Sequence, residues 1–217
     1  MKSLTFNEAL NLAKKAALNC GASKNHALAL ARSIVTAEAE GNHAVGFAHF
    51  LDYLDALKEG RIDGQAKPEI AQTTPIIQTI DAKGGMQHLG VDLALNGLAE
   101  AAKTFGLAAI SSRNGYTIGA LAYYPRILAE SHGLVSLCFA NAAPAVMPAS
   151  GGSTPRFCTN PMAFAVADHL GRTIVIDQSS TAAAIVSIKQ AADRGDSIPE
   201  GWALTKDGEP TIDPFEA

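Results

Sequence analysis

Three short segments of this 217-residue chain carry side chains suited to chemistry. In Gly41-Asn42-His43-Ala44-Val45-Gly46-Phe47-Ala48-His49, two imidazoles stand at the mouth of a helix. Imidazole titrates near neutral pH, so His43 or His49 could act as a general acid. Either could equally cap or pack locally. The second segment, Arg113-Asn114-Gly115-Tyr116-Thr117-Ile118-Gly119-Ala120, follows an apolar strand and opens a helix. Free amides at a helix start attract anions, and glycine lets a ligand approach the backbone. A plain strand-to-helix turn would read the same way. The third is Phe157-Cys158-Thr159-Asn160-Pro161, where Thr159 and Asn160 sit in a stiff pre-proline loop and could grip a carboxylate or amide. They could also satisfy the loop's own backbone. Asp177-Gln178-Ser179-Ser180 ends a strand, a common ligand position in α/β proteins and also an ordinary place for helix caps.

Other chemistries lack their signatures. No GxGxxG follows a strand, and neither GxxxxGK[ST] nor GxSxG occurs. No HExxH, HxH or paired-carboxylate spacing suggests a metal. Cys20, Cys138 and Cys158 are widely spaced, which disfavours a disulfide framework or a zinc site and reads as buried thiols. The net charge is −4 and no basic block is present, so no nucleic-acid partner is expected. No apolar run approaches the length of a membrane span, and the N-terminus lacks a signal-type apolar stretch. Those readings point to a cytoplasmic protein without a membrane partner.

The elements that must position these residues are readable from periodicity. A hydrophobic content of 47% is ample for a core. Residues 1–67 are expected to form a helical N-terminal subdomain. Thr5 with Glu8 has the pattern of a capping box, Gly21 ends the first helix, and Ser23 caps the second. A third runs from Gly46 to Gly60 with Phe50, Leu51, Leu54 and Leu57 on one face. Residues 68–217 are expected to form an α/β unit, incomplete at its C-terminal end. Strands are predicted at 76–81, 107–112, 134–140, 161–166 and 173–176, with helices at 91–105, 121–129 and 182–192. This alternation argues for an α/β or α+β fold with a mostly buried mixed sheet flanked by helices.

Taken together, the segments resemble the malate/L-lactate dehydrogenase family that lacks a Rossmann fold, which includes Δ1-piperideine-2-carboxylate and Δ1-pyrroline-2-carboxylate reductases. Thr159-Asn160-Pro161-Met162-Ala163-Phe164-Ala165 is similar to the family's TNP signature. Pro199-Glu200-Gly201-Trp202, with Asp207-Gly208-Glu209-Pro210-Thr211-Ile212-Asp213-Pro214, resembles its PxGW…DGxPTxDP stretch. Tyr53, Leu57, Gly60 and Ile62 match the helix after its Ser-His-Gly motif. The resemblance implies a homodimer, a nicotinamide cofactor (NAD or NADP, with NADPH favoured) and hydride transfer at C2 of a small 2-oxo, 2-hydroxy or cyclic 2-imino acid. It assigns cofactor contacts to Thr117, Ile118, Gly119, Ala120, Leu121, Asp177, Gln178 and Ser179. It assigns substrate contacts to Thr159 and Asn160. Tyr116 to Leu121 looks like the imino-acid reductase branch.

Departures from the family pattern fall at the acid machinery. With Gly46 on the motif glycine, Ala44 stands for the relay serine, Val45 for the proton-donor histidine and His49 for a substrate arginine. Ser187 stands where the imino-acid reductases carry a relay Asp. His49 is the expected substitute acid and His43 the second candidate. Family chains also continue past the DP motif, so the resemblance implies a chain cut short. The other expectation is therefore a relative that folds or dimerises without turnover.

Overall fold

The computed structural model describes residues 3–143, 145–183 and 185–217. Helix α1, Phe6–Asn19, starts at Thr5, whose hydroxyl accepts from the Glu8 amide at 3.3 Å while the Glu8 carboxylate accepts from the Thr5 amide at 2.8 Å. This reciprocal pairing satisfies two helix-end donors. Ala9, Ala13 and Ala17 form the buried stripe of α1, so it packs closely on α2, Lys24–Ala39, capped by Ser23. A 3-10 turn at His43–Val45 leads into α3, Phe47–Lys58. Leu30, Ile34, Phe50, Tyr53, Leu57, Ile62 and Met86 fill the core between these helices. Leu51 departs from the expected face: it points outward and is exposed, although Phe50 and Leu57 are buried.

Strands β1 (Glu69–Thr74), β2 (Ile77–Asp81) and β3 (Ala109–Arg113) form one mixed sheet. β1 is antiparallel to β2, and β2 is parallel to β3 through α4, Gln87–Phe105. The periodicity did not predict β1, because Glu69-Ile70-Ala71-Gln72-Thr73-Thr74 is an exposed edge strand without apolar alternation. α4 begins four residues before the expected Val91, since Gln87, His88 and Gly90 dilute its apolar pattern. Ile80 packs with Val91, Leu95 and Leu98 of α4 and with Tyr124 and Leu128 of α5, Tyr123–His132.

A second, antiparallel sheet follows. It orders β4 (Ser136–Phe139), β7 (Met162–Ala167) and β8 (Thr173–Gln178), with the short hairpin of β5 (Met147–Pro148) and β6 (Pro155–Phe157) inserted before β7. Ala163 and Ala165 face inward and are fully buried against α5. The opposite face carries Leu137 beside Phe164 beside Ile176, and Val166 beside Ile174. Leu137, Phe139 and Ile174 there are 60%, 68% and 62% exposed. The class of fold is as expected, but the single, mostly buried sheet is not: the strands split between two sheets, and the second buries one face. Apolar composition alone cannot tell which face of a strand another element covers. Helix α6 spans Ile185–Arg194, and Ala184, within the expected 182–192 helix, lies outside the described residues. The chain then forms a last small ladder of β9 (Ala203–Leu204) with β10 (Pro210–Thr211).

Candidate active site

The loop from β3 to α5 is fixed from below by helix α3 and from the side by β8. Tyr53 is fully buried, and its hydroxyl donates to the Thr117 carbonyl at 2.9 Å. Tyr116 bonds both neighbours of that loop, accepting from Arg61 at 2.6 Å and donating to Asp52 at 2.8 Å. Gly119 has φ +65°, a conformation suited to glycine, and an added Cβ would lie 3.3 Å from the Tyr53 hydroxyl and 3.9 Å from the Val45 carbonyl. The 3-10 turn at 43–45 therefore adjoins the 117–121 loop. At the loop's other end, the Ala122 amide donates to the Asp177 carboxylate at 2.9 Å. Burial raises the Asp177 carboxyl above its usual range, and the amides of Ala122 and Leu121 oppose that shift. Asp177 thus holds the residue that precedes α5, a helix distant in sequence, which the local strand-end pattern did not indicate.

Thr159 and Asn160 meet the end of β8. The Thr159 carbonyl accepts from the Ser180 amide at 2.8 Å and the Ser179 hydroxyl at 3.1 Å. The Asn160 carbonyl accepts from the Ser180 hydroxyl at 2.9 Å, and its side-chain oxygen accepts from the Ala142 amide at 3.2 Å. Asn160 adopts φ +32° to do this. Gln178 is exposed at the end of β8, beside Met162 of β7. Cys158 is buried as a packing residue, with its sulfur 3.8 Å from the Thr159 hydroxyl. Leu121, Ala122 and Ala163 pack together under these loops, joined by Ile118 and Val175. The fold therefore brings 117–121, 159–160 and 177–180 to one end of the second sheet.

The two candidate acids differ sharply. His43 is exposed and its Nδ1 bonds Glu38 at 2.6 Å, while the other Glu38 oxygen accepts from the Phe47 amide at 2.9 Å. This arrangement holds the start of α3. His49 stands edge-on to Tyr53, ring centroids 5.0 Å apart, and its Nε2 is buried without a hydrogen-bond partner among the described residues. Burial lowers its pKa, and Asp52 opposes the shift. Two residues missed as site components complete this cluster. One is Tyr53, visible in the sequence only as part of a helix pattern. The other is His88, fully buried at the start of α4 and 5.6 Å from the Tyr53 ring. Burial pushes His88 down to about 3, with the Ile118 backbone opposing. The sequence signal for His88 was a polar residue three positions after the Gly84-Gly85 turn.

Among the described residues no group of three or more His, Cys, Asp or Glu side chains could hold a metal, and no helix is long and apolar enough to cross a membrane. A cleft of about 390 Å³ lies between α2, α4 and α5 and shares no lining residue with the converging segments.

A sequence profile of malate/L-lactate dehydrogenases matches residues 4–217. A Δ1-pyrroline-2-carboxylate reductase of Ancylobacter novellus is 36% identical over 99% of this chain and 62% of its own. A (2R)-3-sulfolactate dehydrogenase (NADP(+)) of Chromohalobacter salexigens is 31% identical over 100% of this chain and 64% of its own. The crystal structure of Δ1-piperideine-2-carboxylate reductase from Pseudomonas syringae pv. tomato superposes with a TM-score of 0.94 at 29% identity, covering 100% of this chain and 64% of that one. The chain belongs to the malate/L-lactate dehydrogenase family, and it spans about 62% of the length of the first of these relatives.

Proposed function

We propose that this chain serves a nicotinamide-dependent oxidoreductase that reduces C2 of a cyclic 2-imino acid, with small 2-oxo acids as secondary substrates. The observation that carries this reading is the convergence of 117–121, 159–160 and 177–180, with His49 against the Tyr53 that holds the first of these loops, in a chain similar to imino-acid reductases. The nicotinamide supplies the hydride when bound. Two features fit such a ligand: the backbone at Gly119, which a side chain would close against Tyr53, and the orphaned His49 Nε2. In this reading Thr117, Ile118, Gly119, Ala120 and Leu121 present backbone to the cofactor, with Gln178 and Ser179 at its edge. Asp177 acts by fixing that loop. Thr159 and Asn160 hold the substrate carboxylate, which orients C2. The name of the sulfolactate dehydrogenase relative supports NADPH over NADH.

The proton inventory favours an imine. A ketone oxygen must gain a proton as it is reduced, whereas a protonated imine already carries one on nitrogen. Val45 provides no acid, His43 is engaged with Glu38, and burial favours neutral His49. The test is oxidation of NADPH and NADH, followed by absorbance, with Δ1-pyrroline-2-carboxylate, Δ1-piperideine-2-carboxylate and pyruvate. Turnover of the imines above pyruvate supports the proposal, and turnover of none of them overturns it. A second reading, a family relative that binds without turning over, is favoured by Val45 in the donor position and predicts a cofactor-induced stabilisation with no oxidation. We also propose that the protein is a homodimer, which sedimentation at several concentrations would test.

A further inference from the structure

The cleft of about 390 Å³ between α2, α4 and α5 has the composition of a binding site in its own right. Arg32 enters it from α2, Asp92 and Asn96 from α4, and Tyr123 and Ser131 from α5, with Leu95 and Ile127 as apolar lining. Arg32 and Asp92 have opposite charges and face one opening. Among the described residues neither makes a salt bridge or a side-chain hydrogen bond, with each other or with anything else. Arg32 is exposed and Asp92 half-buried, so the cost of lacking a partner falls on the Asp92 carboxylate. Burial raises the Asp92 carboxyl to about 6, with Arg32 opposing. The same two charges act in opposite senses on the Tyr123 phenol, which burial raises to about 12. An anionic and a cationic group thus stand apart across one cleft.

We propose that this cleft binds a free α-amino acid as its zwitterion, the carboxylate on Arg32 and the ammonium on Asp92. Such a ligand carries on one small molecule a carboxylate for Arg32 and an ammonium for Asp92. A single anion would leave Asp92 unpaired, and a single cation would leave Arg32 unpaired. The apolar walls at Leu95 and Ile127 suit a short aliphatic or ring side chain, and Asn96, Ser131 and Tyr123 offer further hydrogen bonds. Reduction of a cyclic 2-imino acid yields a cyclic α-amino acid. The cleft would then sense product at a distance from the converging loops. That link rests on the proposed reaction, whereas the binding itself does not.

The test is isothermal titration of the full chain, without cofactor, using L-proline as the probe. Pyrrolidine and cyclopentanecarboxylate are half-ligand controls that each lack one charge. Binding of L-proline is expected to be stronger than that of either control by at least about tenfold, since each control leaves one charge unpaired. Asp92→Asn and Arg32→Gln should each weaken proline binding by about tenfold or more while leaving NADPH binding unchanged. Binding should also strengthen as pH rises through about 6, where Asp92 ionises opposite Arg32 of α2; Tyr123 and His132 of α5 are the other titratable groups lining the cleft. Proline binding unaffected by either substitution, binding of cyclopentanecarboxylate as strong as proline, or no heat with proline would overturn the proposal. Lack of NADPH binding by the parent chain would instead strike the proposed reaction and leave the cleft standing.

Discussion

At the scale of single residues, burial decides what the histidines can do. His49 is held edge-on to Tyr53 with a buried Nε2 that has no partner among the described residues, and burial biases it toward the neutral form. It is therefore a poor proton donor at neutral pH. His49→Gln, which retains hydrogen-bonding capacity, is expected to keep imine turnover within about threefold, because no general-acid factor of the usual ~100-fold or more is lost. Steady-state rates with both substrate classes check this: a hundredfold loss on the imine would contradict it, and a hundredfold loss confined to pyruvate would restore His49 as the acid. His43→Ala should leave turnover alone and loosen the start of α3 slightly.

His88 gives a stability prediction. Its folded pKa of about 3 lies below its ordinary value of 6.5, so the unfolded chain takes up a proton that the folded one refuses. The stability it permits is complete above pH 6.5 and is lost as pH falls toward 3. At roughly 1.4 kcal/mol per pKa unit, the loss reaches an order of 5 kcal/mol. Asp92 works the other way: its raised carboxyl favours the folded state below pH 3.8, and that contribution is lost as pH rises through about 6. Urea midpoints from pH 7 to 4 should fall steeply for the parent chain and more gently for His88→Leu. Parallel curves would contradict the assignment.

At the scale of elements, α3 and the β3–α5 loop are joined by few but well-defined contacts. Gly46 lies where α3 meets α2, and a Cβ there would collide with the Glu38 side chain and come within 3.1 Å of its backbone. Gly46→Ala should cost about 1–3 kcal/mol by overpacking and release the Glu38 bonds to His43 and Phe47. Chemical denaturation reads the cost, and an unchanged midpoint would show that α2 and α3 can separate freely.

Most of these elements were legible in advance because their signals are local. Thr5 with Glu8, Gly21 and Ser23 mark helix ends through chemistry confined to a few neighbours. β1 was not legible, because an edge strand exposed along its length leaves no apolar trace. The convergence of Thr159 with Ser180 and of Ala122 with Asp177 also had no local signal: it depends on which loops the antiparallel order β4-β7-β8 brings to one end. The role of Asp177 stayed open for the same reason, since a strand-end carboxylate reads alike as ligand or cap until its partner is known. Tyr53 looked like one more core aromatic, although its hydroxyl reaches across 64 positions to Thr117.

For the whole molecule, the uncovered face of the second sheet is the largest departure from a closed core. Leu137, Phe139, Phe164, Ile174 and Ile176 lie on that one face. Contiguous apolar surface of this kind binds reporter dyes and promotes association. The parent chain should enhance the fluorescence of an anilinonaphthalene sulfonate probe, and a Leu137→Ser, Phe139→Ser, Ile174→Ser variant should lose most of that enhancement at an unchanged melting temperature. Equal fluorescence would place the dye elsewhere.

These scales meet at the loops 117–121, 159–160 and 177–180, proposed as a nicotinamide site. Melting of the chain across a titration with NADPH and NADH tests that proposal most directly. A ligand at a hundred times its Kd adds about 2.7 kcal/mol to stability. A saturable rise in melting temperature with NADPH, larger than with NADH, is the expected result. No rise with either cofactor at millimolar concentration would contradict it.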